Sequence, residues 1–163
     1  MYEINTPWTL WYHSVKDKDW SHKSYKKIYR IDNLQDLYNY HSITESNHLQ
    51  NGIYFLMRQD IFPTWEDPEN RQGCCISFKI PCNYIQQEWR NIINRFVSED
   101  ILKDPDKYKE LNGISFSPKK EFNILKIWLR SDIKGNMELY KQLCKEYKPY
   151  IVTSSSLYKT NLI

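Results

Sequence analysis

The stretch GISFSPKKEFNILKIWLR, residues 113–130, decides the fold. Its second half alternates without a break. Leu125, Ile127 and Leu129 take one side of an extended chain, and Lys126, Trp128 and Arg130 take the other. Period-two alternation of this kind marks a strand with one apolar face, as in an antiparallel sheet covered on one side only. Upstream, Gly113–Ser117 is a second extended run, and Pro118–Glu121 supplies the turn, so the segment reads as a β-hairpin. The apolar set belongs beneath a layer of helices, while the other set leaves an indole between two cations on an open face.

The flanking sequence repeats this grammar. Trp8–His13, Lys26–Ile31, Ile53–Arg58, Cys74–Ile80 and Tyr150–Thr153 read as further strands. Asp32 stands where it would cap a short helix over Asn33–Ser42, with Leu34, Leu37, Tyr38 and His41 at helical spacing. Asn83 would open a second helix, on which Ile85, Trp89, Ile92, Ile93 and Phe96 form one stripe. Pro105 and the charges around it read as a loop, and Asn136–Tyr147 as a third amphipathic helix. Strands and helices in mixed order, joined by hairpins, predict an α+β fold: a curved antiparallel sheet with three helices on the convex face and a ligand site on the concave face. No repeat or linker divides residues 1–163, which are expected to form a single domain and a monomer.

Composition narrows the function. The chain has 163 residues, a net charge of +3 and 15% aromatic residues. That charge is too small for a protein that coats nucleic acid without selectivity. No apolar run approaches the length of a membrane span, and the N-terminus lacks the order of a secretory signal. Four cysteines, two of them adjacent at Cys74 and Cys75, form neither a disulfide framework nor a metal-ligand spacing. A reduced, cytoplasmic protein without metal or cofactor is the expectation. The absence of alanine, beside many Lys, Asn, Ile and Tyr, points to an AT-rich genome such as that of a large DNA virus or a protist.

The tryptophans point to a ligand. Trp8, Trp11 and Trp89 fit core positions, but Trp20 lies in KDKDWSHK and Trp65 in IFPTWEDPEN, both polar and turn-rich. Indoles in such loops leave apolar surface uncovered unless a partner covers it. Two of them can sandwich a planar ring, and Glu66, beside Trp65, can accept from the ring N–H and exocyclic amine of guanine. Methylation at N7 makes the base a cation, which indole faces prefer. Stacking contributes about 1–3 kcal/mol per contact, cation–π attraction about 0.5–2 kcal/mol, and each charge-assisted hydrogen bond about 1.5–3 kcal/mol. Lys119, Lys120, Lys126 and Arg130 are candidate phosphate ligands.

Taken together, TPWTLWYHSVKDKDW, LQDLYNYHSI, IFPTWEDPENRQG, WRNIINRFVSE and GISFSPKKEFNILKIWLR resemble, in order and spacing, the eukaryotic translation initiation factor 4E family, which binds the mRNA 5′ cap. The resemblance implies a cupped antiparallel sheet backed by three helices, and a binding protein rather than an enzyme. Trp20 and Trp65 match the family's stacking pair, Glu66 its guanine-reading carboxylate, and Trp128 the indole at the N7-methyl group. Lys119 matches a phosphate contact, Lys120 lies beside it, and Lys159 stands in for a mobile-loop lysine. The expected partners are capped mRNA and a scaffold protein of factor 4G type.

The departures from the family are equally specific. Cys74 and Cys75 follow Gly73 where the family has a basic residue and a Trp, so one phosphate contact is expected to be missing. The C-terminal loop is shortened to SSSLYKTNLI, which questions the family's serine phosphorylation. On the scaffold-binding surface, drawn from Leu34, Tyr38, Arg90, Asn94 and Val97, Tyr38 replaces a Trp, and Arg90 and Asn94 replace leucines. Each lost apolar contact costs about 1.5–3 kcal/mol, so a dedicated partner, or none, is expected. The alternative role is a cap-holding repressor or decoy. An enzyme using Cys75 with His13 or His22 lacks any supporting spacing, and the histidines read as surface polar groups.

Overall fold

The computed structural model describes residues 3–43, 49–101, 104–131 and 150–153. The strands are β1 (Glu3–Ser14), β2 (Lys26–Asn33), β3 (Gly52–Arg58), β4 (Cys74–Pro81), β5 (Leu111–Pro118), β6 (Phe122–Leu129) and β7 (Tyr150–Thr153). Two α-helices are described, α1 (Leu34–Ile43) and α2 (Ile85–Val97). All seven strands join one sheet in the order β2-β1-β3-β5-β6-β4-β7, with each neighbouring pair antiparallel. Irregularities in register fall between β1 and β2 and near Leu111 and Gly113, where bulges add twist and bend the sheet. No helix among the described residues is long and apolar enough to cross a membrane.

Strand alternation divides the side chains between two faces. Leu125, Ile127 and Leu129 of β6 join Trp8, Leu10, Leu56, Ile76, Phe78 and Ile114 in the main core. The α2 stripe of Ile85, Trp89, Ile92, Ile93 and Phe96 closes over them, with Leu37 and Tyr40 from α1. Each such side chain contributes about 1.5–3 kcal/mol on burial, so docking onto the sheet, rather than intrinsic propensity, holds these short helices. The indole N–H of Trp89 donates to the Tyr40 hydroxyl at 2.9 Å, joining the two helices. On the opposite face Trp11, Phe55, Met57, Cys75 and Trp128 form a second, smaller cluster.

Several local expectations need correction. The cap of α1 is Asn33, not Asp32: Asn33 Oδ1 accepts from the Asp36 N–H at 2.9 Å, while Asp36 Oδ2 accepts from the Asp32 N–H. This reciprocal arrangement works as a capping box displaced by one residue. Asn83 does not open α2, because Cys82–Tyr84 forms a 3-10 turn and the helix starts at Ile85. Pro105 begins a 3-10 segment, Pro105–Glu110, capped by the Asp104 side chain. The third predicted helix, Asn136–Tyr147, lies outside the described residues.

Candidate functional site

Antiparallel register explains why a cleft forms on the face opposite α1 and α2. Trp128 on β6 stands opposite Cys75 of β4 and Gly113 of β5, and Lys126 stands opposite Ser77 and Ser115. Small cross-strand neighbours leave the Trp128 indole room to lie on the sheet, and its N–H donates to Ser115 Oγ at 3.0 Å. A β-carbon at Gly113 would meet Met57 Sδ at 2.4 Å and Leu56 O at 2.5 Å, so only glycine fits beside this indole. The resulting cleft, about 610 Å³, is lined by Trp20, Trp65, Glu66, Lys126 and Trp128 together with Tyr25, Phe55, Ser115 and Ser117.

The four candidate base-binding residues therefore come together, from three parts of the chain. Trp20 is 55% exposed, Glu66 is exposed and Trp65 half-buried. Trp128 departs from the open-face expectation at only 5% exposure. Trp65 accounts for this by packing over it, with ring centroids 4.9 Å apart and planes 31° from parallel. Trp20, in turn, stacks on His13.

Both loops are held by more contacts than their polar sequences suggest. Asn70, almost fully buried, donates through Nδ2 to the carbonyls of Phe62 and Thr64 and accepts from Asn112 at Oδ1. Asp67 accepts from the N–H groups of Phe62 and Glu69. Across the cleft, Asp17 accepts from the Asp19 N–H and Asp19 from the Ser21 N–H. The two loops also meet, since His22 stacks on Phe62 with centroids 4.1 Å apart. Tyr25 contacts His13, Trp20, Phe55 and Phe62. Burial, then the nearby Glu66 carboxylate, pushes the Tyr25 phenol up to about 12, so it stays protonated. Phe62 and Tyr25 thus give both loops an apolar anchor. His13 and Tyr25 escaped sequence reading because Trp20 and Phe62, which cover them, lie in loops, where strand periodicity carries no information.

The predicted cations are dispersed. Lys126 lines the cleft. Lys119 and Lys120, exposed on the β5–β6 turn, line a separate depression of about 380 Å³ with Gln50, Cys82 and Asn123. Arg130 faces a third cleft and pairs with Glu69 at 3.1 Å. Lys159 and the serines of SSSLYKTNLI lie outside the described residues.

On the helical face Tyr38 is 68% exposed, while Arg90 and Asn94 project from α2 into a polar groove with Gln86, Gln87 and Asn91. His41 Nε2 lies 2.7 Å from Asn94 Oδ1 and ties α1 to α2. Burial holds the His41 imidazole below its ordinary value, against the Asn94 bond and helped by the Arg90 charge. Leu34 is partly buried against the core. Val97 is not on this surface; it is buried in the core, because the α2 stripe extends one residue further than expected.

Cys75 is an ordinary strand residue, as expected, and its thiol is pushed far up by burial, which leaves no thiolate for nucleophilic chemistry. His13 is buried and not a surface group.

The model of a protein family described as eukaryotic initiation factor 4E matches residues 3–159. The translation initiation factor 4E of Saccharomyces cerevisiae is 27% identical over 138 residues, covering 80% of this chain and 63% of the yeast protein. The chain thus spans less than two thirds of the length of that curated relative. Among solved structures, a schistosome factor 4E complexed with m7GpppA and a 4E-BP superposes with a TM-score of 0.85 at 16% identity, covering 97% of this chain and 91% of the other. Factor 4E-3 of C. elegans, complexed with the 4E-binding protein Mextli and a cap analogue, superposes with a TM-score of 0.83 at 16% identity, covering 97% and 95%. At that identity the two structures establish the shared fold.

Proposed function

The chain belongs to the eukaryotic initiation factor 4E family, and from that premise we propose that its cleft binds the 7-methylguanosine 5′ cap of mRNA and that the protein acts in translation initiation. Trp20 and Trp65 are the stacking plates, Glu66 accepts from the guanine ring N–H and exocyclic amine, and Trp128 forms the floor against the N7-methyl group. Lys126 is the cation nearest the phosphates. Lys119, Lys120 and Lys159 remain further candidates for the phosphates, while Arg130 is engaged with Glu69. The observation that carries this reading is that two indoles from separate loops and one exposed carboxylate line a single cleft.

The test is retention on immobilised 7-methyl-GTP. Because the positive charge of the methylated base supplies the cation–π attraction, GTP should elute the protein only at concentrations about tenfold or more above those of 7-methyl-GTP. Equal elution by the two nucleotides would remove the physical basis for cap selectivity.

The exposed Tyr38, Arg90 and Asn94 support a partner surface different from that of the wider family. We infer that the helical motif of an ordinary factor 4G scaffold binds weakly, because Arg90 and Asn94 present polar groups where an apolar contact would form. The double variant Arg90→Leu, Asn94→Leu is expected to tighten binding of such a peptide by about tenfold or more, measured by fluorescence anisotropy. Unchanged affinity would count against the surface assignment. The same residues favour a second reading, a repressor or decoy that holds the cap without recruiting the scaffold. Translation of capped mRNA in an extract decides between them: stimulation marks an initiation factor and inhibition marks the decoy.

A further inference from the structure

Trp20 lies flat on the imidazole of His13, with ring centroids 3.9 Å apart and planes 1° from parallel. His13 is fully buried, with Nδ1 2.9 Å from the carbonyl oxygen of Ser14 and Nε2 2.7 Å from that of Asp19. Carbonyl oxygens only accept. Both contacts are therefore hydrogen bonds only when both ring nitrogens carry protons; a neutral imidazole sets a lone pair against one of the oxygens. Ser14 ends β1 and Asp19 immediately precedes Trp20, so the ring bridges the two ends of the segment that delivers the indole. A protonated imidazole against an indole face also gains cation–π attraction.

We propose that His13 is a positioning residue of the cap site: its protonated ring locks the Trp20 plate in place, and cap affinity falls as the ring loses its second proton. This rests on reading the cleft as a cap site.

Burial opposes a charge on the ring, and one carboxylate interacts with it. The Asp19 carboxyl is held below the usual carboxylate range, chiefly by hydrogen bonds from Ser21, with His13 adding to the effect. Just before β2 the Tyr25 ring sits 5.0 Å away and stays neutral. From β3 the residue in register is the apolar Ile53. The other charges on the loop, Lys16, Asp17 and Lys18, are exposed. A methylated base on the far side of the indole would repel the ring's charge, but Asp19 beside the ring and Glu66 beside the base offset that repulsion.

The test uses the full chain and 7-methyl-GTP, with binding followed by quenching of tryptophan emission from about pH 5.5 to about pH 8, the range in which imidazoles titrate. His13→Phe keeps an aromatic surface under Trp20 but has no proton to lose. The wild type is expected to lose about tenfold more affinity than His13→Phe across this range, the worth of one charge-assisted hydrogen bond. Proton loss from the ligand's own base acts alike on both proteins and cancels in the comparison. A wild type that binds with a profile parallel to that of His13→Phe overturns this inference alone. A wild type that fails to bind at any pH overturns the cap-site reading and this inference with it. If His13→Phe does not fold, the ligand-free wild type still decides, because a protonated imidazole quenches the indole stacked on it. Its emission should rise with pH, and a flat profile overturns the inference.

Discussion

Glu66→Gln should weaken binding of 7-methyl-GTP by about a hundredfold or more. The carboxylate is placed to accept two hydrogen bonds from the guanine edge, each worth about 1.5–3 kcal/mol when charge-assisted. Glutamine retains one acceptor oxygen and turns an amide N–H₂ toward a donor, so one bond becomes a repulsion and the other loses its charge. A loss of about 3 kcal/mol corresponds to somewhat more than two decades in affinity. The change leaves the loop intact, since the Glu66 side chain is exposed and the bond from Arg71 goes to its backbone carbonyl. Isothermal titration of the variant against the wild type measures the effect. A loss below tenfold would mean that the carboxylate does not read the base. Trp65→Ala should cost about 1–3 kcal/mol of stacking together with the associated cation–π attraction, a loss of similar size but different chemistry. Only the glutamate variant should leave the preference for the N7-methyl group intact.

Legibility from sequence followed the length scale of the information. Alternation along Phe122–Leu129 assigned Leu125, Ile127 and Leu129 to the helix-covered side and Trp128 to the other, because the side-chain period of a strand is a local property. Trp20 and Trp65 stood out because indoles in polar turns have no core explanation. The same reasoning could not sort the cations. Lys126 and Arg130 share the parity of Trp128, yet Arg130 lies past the end of β6, where Glu69 captures it. Lys119 and Lys120 sit on a turn whose direction depends on pairing between β5 and β6. Val97 was misplaced for the opposite reason: helix C-termini are hard to locate, and one further residue of the α2 stripe remained in the core. The environment of His13 was not legible at all. It was read as a surface polar group, and its burial comes from Trp20, Tyr25 and the Asp19 carbonyl, contacts that exist only once the loop has folded back.

Far from the cleft, the largest stability effect is expected at Arg58. Its side chain is almost fully buried, and four of its five N–H donors are bonded. Nε donates to Leu111 O at 2.8 Å, one terminal nitrogen to Thr6 Oγ1 and Glu99 Oε1, and the other to Tyr108 O at 2.8 Å. The guanidinium also lies 4.4 Å from the Trp8 ring. Burial holds its proton affinity below the ordinary arginine value, with the Glu99 bond and charge acting the other way, so the pair is bound by partnership rather than by solvation. Arg58→Met removes every one of these donors and leaves the Glu99 carboxylate buried, with the Asn5 amide the one donor remaining to it among the described residues. Breaking one side of a buried pair costs about 3–5 kcal/mol, which for a chain of this size lowers Tm by roughly 6–20 °C. The double variant Arg58→Met, Glu99→Met should be more stable than Arg58→Met alone, because it removes the unpaired charge together with its partner. Thermal unfolding of the three proteins checks both statements. A single variant within about 1 kcal/mol of the wild type would show that water reaches this site and solvates the carboxylate. A double variant less stable than the single would show that Glu99 stabilises the fold chiefly through Asn5, independently of Arg58.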